Sequence, residues 1–151
     1  MLSFFLNPAF TFMKDEKTNI LLKKISLFVL CSFYIIAGYN HFRDPAFYLD
    51  LIPPYFPNHS LINIVSGVFE ILAGVLMIIP ATRKFAAYLI IVILIAFIPA
   101  HIYLIQMKGC VSKRLCIAEW IAWVRLFPLQ FILMWWAWKT YKWNRNNTME
   151  H

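Results

Sequence analysis

Charge is what this sequence has least of. Only 14% of its 151 residues are charged, seven of them acidic, where a soluble domain carries about a quarter. Hydrophobic residues make up 62%, more than a soluble chain of this length can bury. A soluble globular domain is therefore excluded, and the bilayer must take the remaining apolar surface. Other absences narrow the chemistry. There are three cysteines and no CxxC pair, which argues against a direct dithiol–disulfide mechanism. No zinc-ligand spacing and no haem, flavin or iron–sulfur motif is present, so no metal site is expected. No unit of 20–50 residues repeats, and no inverted repeat points to a transporter. Short alternating segments are lacking too, which excludes a membrane β-barrel.

What is there instead is long apolar sequence. Four runs reach the ~20 residues needed to span a bilayer, at residues 20–39, 61–79, 85–107 and 115–138. Lys23 and Lys24 interrupt the first but can snorkel to the interface. The expected fold is all-α: an antiparallel four-helix transmembrane bundle with an interfacial segment between the first two helices. Residues 1–19 form an N-terminal cytoplasmic or interfacial arm. Its apolar piece precedes the charges and no small-residue cleavage site follows, so it is not read as a signal peptide. Residues 20–138 are the membrane domain and 139–151 a basic tail.

Lys and Arg placement sets the orientation. Lys14, Lys17, Lys23, Lys24, Arg83, Lys84, Lys139, Lys142 and Arg145 fall on one side. Only Arg43, Lys108, Lys113 and Arg114 fall on the other. Both termini are expected in the cytoplasm, in a bacterial inner membrane. The net charge of +7 then reads as an orientation signal. Basic residues scattered at helix ends make no nucleic-acid surface. Trp120, Trp123, Trp135, Trp136, Trp138 and Trp143 gather near the two ends of the fourth run, as an interfacial belt does.

Within the runs sit residues that lipid would reject. The second contains SGVFEILAGV, with Glu70 in its middle, and a carboxylate there costs roughly 3 kcal/mol on insertion scales. The third holds His101 and the fourth Arg125, while the first ends in Asn40 and His41. At ~1.5 Å per residue, Glu70 lies ~14 Å, His101 ~9 Å and Arg125 ~15 Å from the outer end of its run. All three share one half of the membrane, with His41 above them. Glu70 carries a small, partly polar stripe of Asn63, Ser66, Gly67, Ala73 and Gly74, which lets helices approach closely. Cys31, Tyr34, Gly38 and His41 share one face of the first run. The expected pocket has Glu70, His101 and Arg125 as catalytic groups and His41, Tyr34, Ser66 and Asn63 around the ligand. Arg125 is the expected partner of Glu70, because its planar fork matches a carboxylate. A pair that only fixes helix register is the other reading of the same residues. Pro99 and Pro128 kink their helices and free backbone carbonyls near His101 and Arg125. Gln130 and Glu119 are weaker polar signals.

Two loops lie on the outer side. Residues 42–60 are too polar and proline-rich to span, but Phe47, Tyr48, Leu51 and Ile52 suit a short interfacial helix, as a lid or as a plain linker. The loop KGCVSKRLC carries Cys110 and Cys116, read either as a structural disulfide or as a redox-active pair.

The order NHFRDPAFYLDLIPPYFP, SGVFEILAG, PATR, PAHIY and RLFPLQ resembles the DoxX family of small four-helix membrane proteins over residues 27–138. That resemblance implies sulfur-compound oxidation coupled to quinone, thiol redox assemblies or oxidative-stress responses, and relatives that act as chaperones for membrane receptors. It carries no catalytic residue across. The expected function is a redox-associated membrane protein whose pocket holds a quinone or a small anionic sulfur compound, with electrons passing through a partner redox protein. The alternative is a non-catalytic membrane partner or assembly factor for another complex.

Overall fold

A computed structural model describes residues 8–148, with side-chain environments over 18–142. The protein is all-α. Helix α1 runs Pro8–Arg43, α2 Pro45–Leu49, α3 His59–Ile78, α4 Arg83–Gln106, α5 Glu119–Leu126 and α6 Leu129–Thr148. The arm expected over 1–19 is helical from Pro8 and continuous with α1; residues 1–7 and 149–151 lie outside the described ones. Four segments are long and apolar enough to cross a membrane: Thr18–Arg43, His59–Ile78, Pro80–Gln106 and Glu119–Lys142. This is a multi-pass membrane protein. Large apolar side chains on all four, among them Phe28, Phe69, Val92 and Phe131, are exposed on the outside of the bundle, where lipid rather than water is the favourable neighbour.

The bundle closes on itself: α3 packs on α1 and α4, α4 on α6, and α6 returns to α1. The Trp136 indole donates to Ser26 Oγ at 2.7 Å across that last seam. The tightest seam is α1 against α3, and glycines set it. A Cβ on Gly38 would lie 2.6 Å from the Gly67 carbonyl oxygen, and one on Gly74 2.9 Å from the Cys31 carbonyl oxygen. Only backbone fits there. Without water to drive association, such close contact is what holds membrane helices together.

The PATR stretch has a structural use. After α3 ends, Pro80–Thr82 form one 3-10 turn. Thr82 Oγ1 then donates to the Leu76 carbonyl at 2.7 Å, and Arg83 donates to the carbonyls of Met77 and Ile78, each at 3.0 Å. These are the orphan carbonyls of a helix end, which otherwise need water. At the other end of α3, Asn58 adopts φ 51° and its side chain accepts from Leu61 N–H at 3.2 Å. Asn tolerates that left-handed geometry better than most residues.

The fourth run is not one helix, as expected from composition, but two. Pro128 lacks the N–H and Phe127 is extended (φ −143°), so α5 stops and α6 restarts at Leu129. Pro99, by contrast, sits inside an unbroken α4. Gln130, judged a weak signal, is fully buried, and its amide donates to the Leu94 carbonyl on α4. It ties the restart of α6 to the turn of α4 just before Pro99.

Residues 115–118 belong to the outer loop rather than to the fourth span. Helix α4 ends in a Schellman turn: Gly109 N–H donates to the Leu104 carbonyl and Lys108 N–H to that of Ile105, both at 2.8 Å. Cys110 and Cys116 form a disulfide across the hairpin that follows. Val111, Leu115 and Ile117 of this hairpin pack with Phe47, Leu51, Leu104 and Ala122 into a small second core. The short helix α2 supplies Phe47, so the expected interfacial helix exists and is roofed by the hairpin. Lys108 carries φ 52° at a position that favours glycine. Lys108→Gly should therefore stabilise the protein by about 0.5–1 kcal/mol, read as a higher thermal midpoint in detergent.

Candidate functional site

The polar residues converge where α1 meets α3. Asn63, Gly67 and Glu70 fall on one face of α3 at i, i+4 and i+7. His41 comes down onto that face from the last turn of α1. Gly67 makes the room: a Cβ there would lie 2.7 Å from His41 Cβ. Asn63 Nδ2 donates to the His41 carbonyl at 3.0 Å. That orients the amide, because a carbonyl can only accept. Asn63 Oδ1 consequently faces His41 Nδ1 at 2.8 Å, and Nδ1 must carry a hydrogen and donate it.

The tautomer fixed in this way leaves His41 Nε2 facing Glu70 Oε2 at 3.3 Å. The contact is at ion-pair distance but off hydrogen-bond geometry, and Oε2 has no other partner among the described residues. A bare nitrogen lone pair against a carboxylate oxygen would be repulsive in this buried place, where the two side chains are 6% and 7% exposed. The 3.3 Å approach therefore fits a single proton between the two atoms. This corrects the expected Glu70–Arg125 pair: the partner of Glu70 is His41. Arg125 was favoured as the deep cation, but α5 starts only at Glu119, so Arg125 lies closer to the outer end and on a different seam.

Aromatic rings enclose the dyad. Tyr48 of α2 stacks on the His41 ring, with centroids 3.7 Å apart and planes at 27°. Phe97 of α4 lies 6.4 Å from it. Burial first, and then the Glu70 carboxylate, push the Tyr48 phenol up, with Arg125 opposing and Asp44 adding to the shift. Tyr34, 1% exposed on α1 and within electrostatic range of Glu70, has a hydroxyl with no hydrogen-bond partner. An orphaned buried hydroxyl is costly unless something accepts from it.

Of the expected site residues, the structure brings together His41, Asn63, Glu70 and Tyr34. Ser66 is half-buried and bonds none of them. His101 and Arg125 form a neighbouring group: His101 lies beside Gln130 and within electrostatic range of Arg125, which in turn reaches Tyr48. Tyr48 was expected only as part of the lid helix, and Phe97 was not expected at the site. The only sequence signal for Tyr48 was its place in a short aromatic helix soon after His41, and Phe97 had none.

A family described as a domain of unknown function, DUF8561, matches residues 30–141. The chain belongs to that family. Neither a curated protein nor a solved structure matches it. The matched region covers His41, Asn63 and Glu70 together with α2 and the disulfide hairpin, so the dyad and its roof are part of the DUF8561 domain rather than of the ends of the chain.

Proposed function

We propose that this DUF8561 protein is a redox-associated protein of a bacterial inner membrane, with both termini cytoplasmic, that binds a quinone head beside the His41–Glu70 dyad. The observation that carries this reading is the buried His41 Nε2–Glu70 Oε2 contact at 3.3 Å, next to a buried Tyr34 hydroxyl that has nothing to donate to. A quinone has two carbonyl oxygens that accept hydrogen bonds and take up protons when electrons arrive, here from a partner redox protein. Tyr34 would orient one oxygen. When electrons arrive, the proton between Glu70 Oε2 and His41 Nε2 would pass to a quinone oxygen, and the second proton, with the one that restores the pair, would come from solvent when the site opens; Asn63 fixes the ring. Tyr48 and the hairpin would keep water out. The Lys and Arg bias supports the orientation, as does the Cys110–Cys116 disulfide on the opposite face, since disulfides persist in oxidising compartments. The DoxX resemblance points the same way.

The assembly-factor reading has one observation in its favour: the reciprocal His41–Asn63 bonds fasten α1 to α3 whether or not anything binds. Extraction of the protein purified in mild detergent, with mass spectrometry of the extract, separates the two. A stoichiometric quinone in wild type, depleted in Glu70→Gln while the fold is kept, supports a redox site. Bulk lipid alone in both samples would shift the reading to an architectural dyad.

A further inference from the structure

The charge count inside the bundle leaves one group over. Glu70 lies against His41 Nε2 at 3.3 Å and makes no ion pair with Arg125, so it offers Arg125 no direct counter-charge. Arg125 sits in the last turn of α5, within a membrane-crossing segment, and makes no hydrogen bond or ion pair with any described residue. The nearest acid on its own helix is Glu119, six residues earlier, which points about a third of a turn away at ~100° per residue and is exposed. Asp44 and Asp50 flank α2 and do not pair with it. The groups in range of Arg125 are His101 and the Tyr48 phenol. An unneutralised guanidinium inside a membrane segment is unfavourable, and an anion is the usual remedy.

The surroundings say which anion. Because α5 begins at Glu119, Arg125 is only ~9 Å from the outer end of its helix, within reach of the interface for a long side chain. Trp120, Trp123, Val124 and Phe127 beside it are all exposed, so this stretch of α5 opens sideways to lipid. A guanidinium fork matches the paired oxygens of a phosphate.

We infer that Arg125, flanked by Tyr48 and His101, seats one phosphate oxyanion, supplied by the headgroup of an outer-leaflet lipid that enters from the side of α5. The site is separate from the dyad and does not require that a quinone bind there. Native mass spectrometry of the delipidated full chain, titrated with phosphatidylglycerol, phosphatidylcholine or inorganic phosphate, tests it. The expected result is one saturable phospholipid adduct per chain, weakened at least tenfold in Arg125→Gln and partly kept in Arg125→Lys. It should be unchanged in the hairpin variant Lys113→Gln/Arg114→Gln and in Glu70→Gln. A thermal midpoint raised by inorganic phosphate in an Arg125-dependent way, without a lipid adduct, would keep the site and change the source. If wild type shows neither effect, or if adducts persist equally in Arg125→Lys, Arg125→Gln and wild type, the inference is wrong. The wild-type and Arg125→Lys measurements hold even if Arg125→Gln fails to fold. Loss of quinone with lipid binding intact, or the reverse, tells this site apart from the dyad.

Discussion

His41→Ala should destabilise the protein by about 3–5 kcal/mol, the usual cost of removing one partner of a buried pair. The loss has three parts. Glu70 is left as an uncompensated carboxyl, Asn63 Oδ1 loses its 2.8 Å donor, and Tyr48 loses the ring it stacks on. Glu70→Gln should cost much less, within about 1 kcal/mol, because a side-chain amide can donate to His41 Nε2 and keeps the volume. The two variants therefore split stability from proton handling. Thermal unfolding in detergent should fall by roughly 10 °C for His41→Ala and by little for Glu70→Gln. Any quinone-linked proton uptake should fall by about 10²–10⁴ in Glu70→Gln. Equal destabilisation by both variants would mean that the carboxyl, not a shared proton, is what the fold requires, and the one-proton description would fail.

The second large effect concerns a residue with no chemistry of its own. Gly38→Ala should unseat the α1–α3 contact at a cost of about 3 kcal/mol. Its new Cβ would meet the Gly67 carbonyl oxygen at 2.6 Å and the Ile71 backbone nitrogen at 2.8 Å. Neither is the end of a flexible side chain, so the helices must separate. His41 lies one turn further along α1, and Asn63 and Glu70 stand on the facing stripe, so separation also lengthens the Nε2–Oε2 contact. Gly38→Ala should thus mimic His41→Ala in unfolding experiments although Gly38 touches none of the dyad atoms. Reduced crosslinking between cysteines placed on α1 and α3 would report the same separation directly. Wild-type stability and crosslinking in this variant would contradict the packing described.

The site was partly legible beforehand. Glu70 stood out because a carboxylate in an apolar run needs a reason to be there, and Asn63, Tyr34 and His41 followed from helical spacing. The choice of partner did not follow. Counting ~1.5 Å per residue from the ends of apolar runs placed Arg125 level with Glu70, because residues 115–118 look like helix and are in fact hairpin. Composition does not distinguish an apolar loop held by a disulfide from the first turn of a span. Gln130 was underrated for a related reason. Its importance lies in a carbonyl on another helix, and nothing local to Gln130 announces that acceptor.

What the sequence determined alone is the solvent and the helices. With 62% hydrophobic residues in four long runs, the chain can satisfy its backbone in lipid only by forming helices, and each polar residue inside them must turn inward or reach the interface. What only tertiary structure decided is which inward-facing groups meet. Three glycines set how closely α1 approaches α3, the late start of α5 at Glu119 places Arg125 on a separate seam, and α2 lays Tyr48 over His41. Those outcomes depend on backbone-to-backbone distances of a few ångströms between segments far apart in the chain, and no periodicity within one helix encodes such a distance.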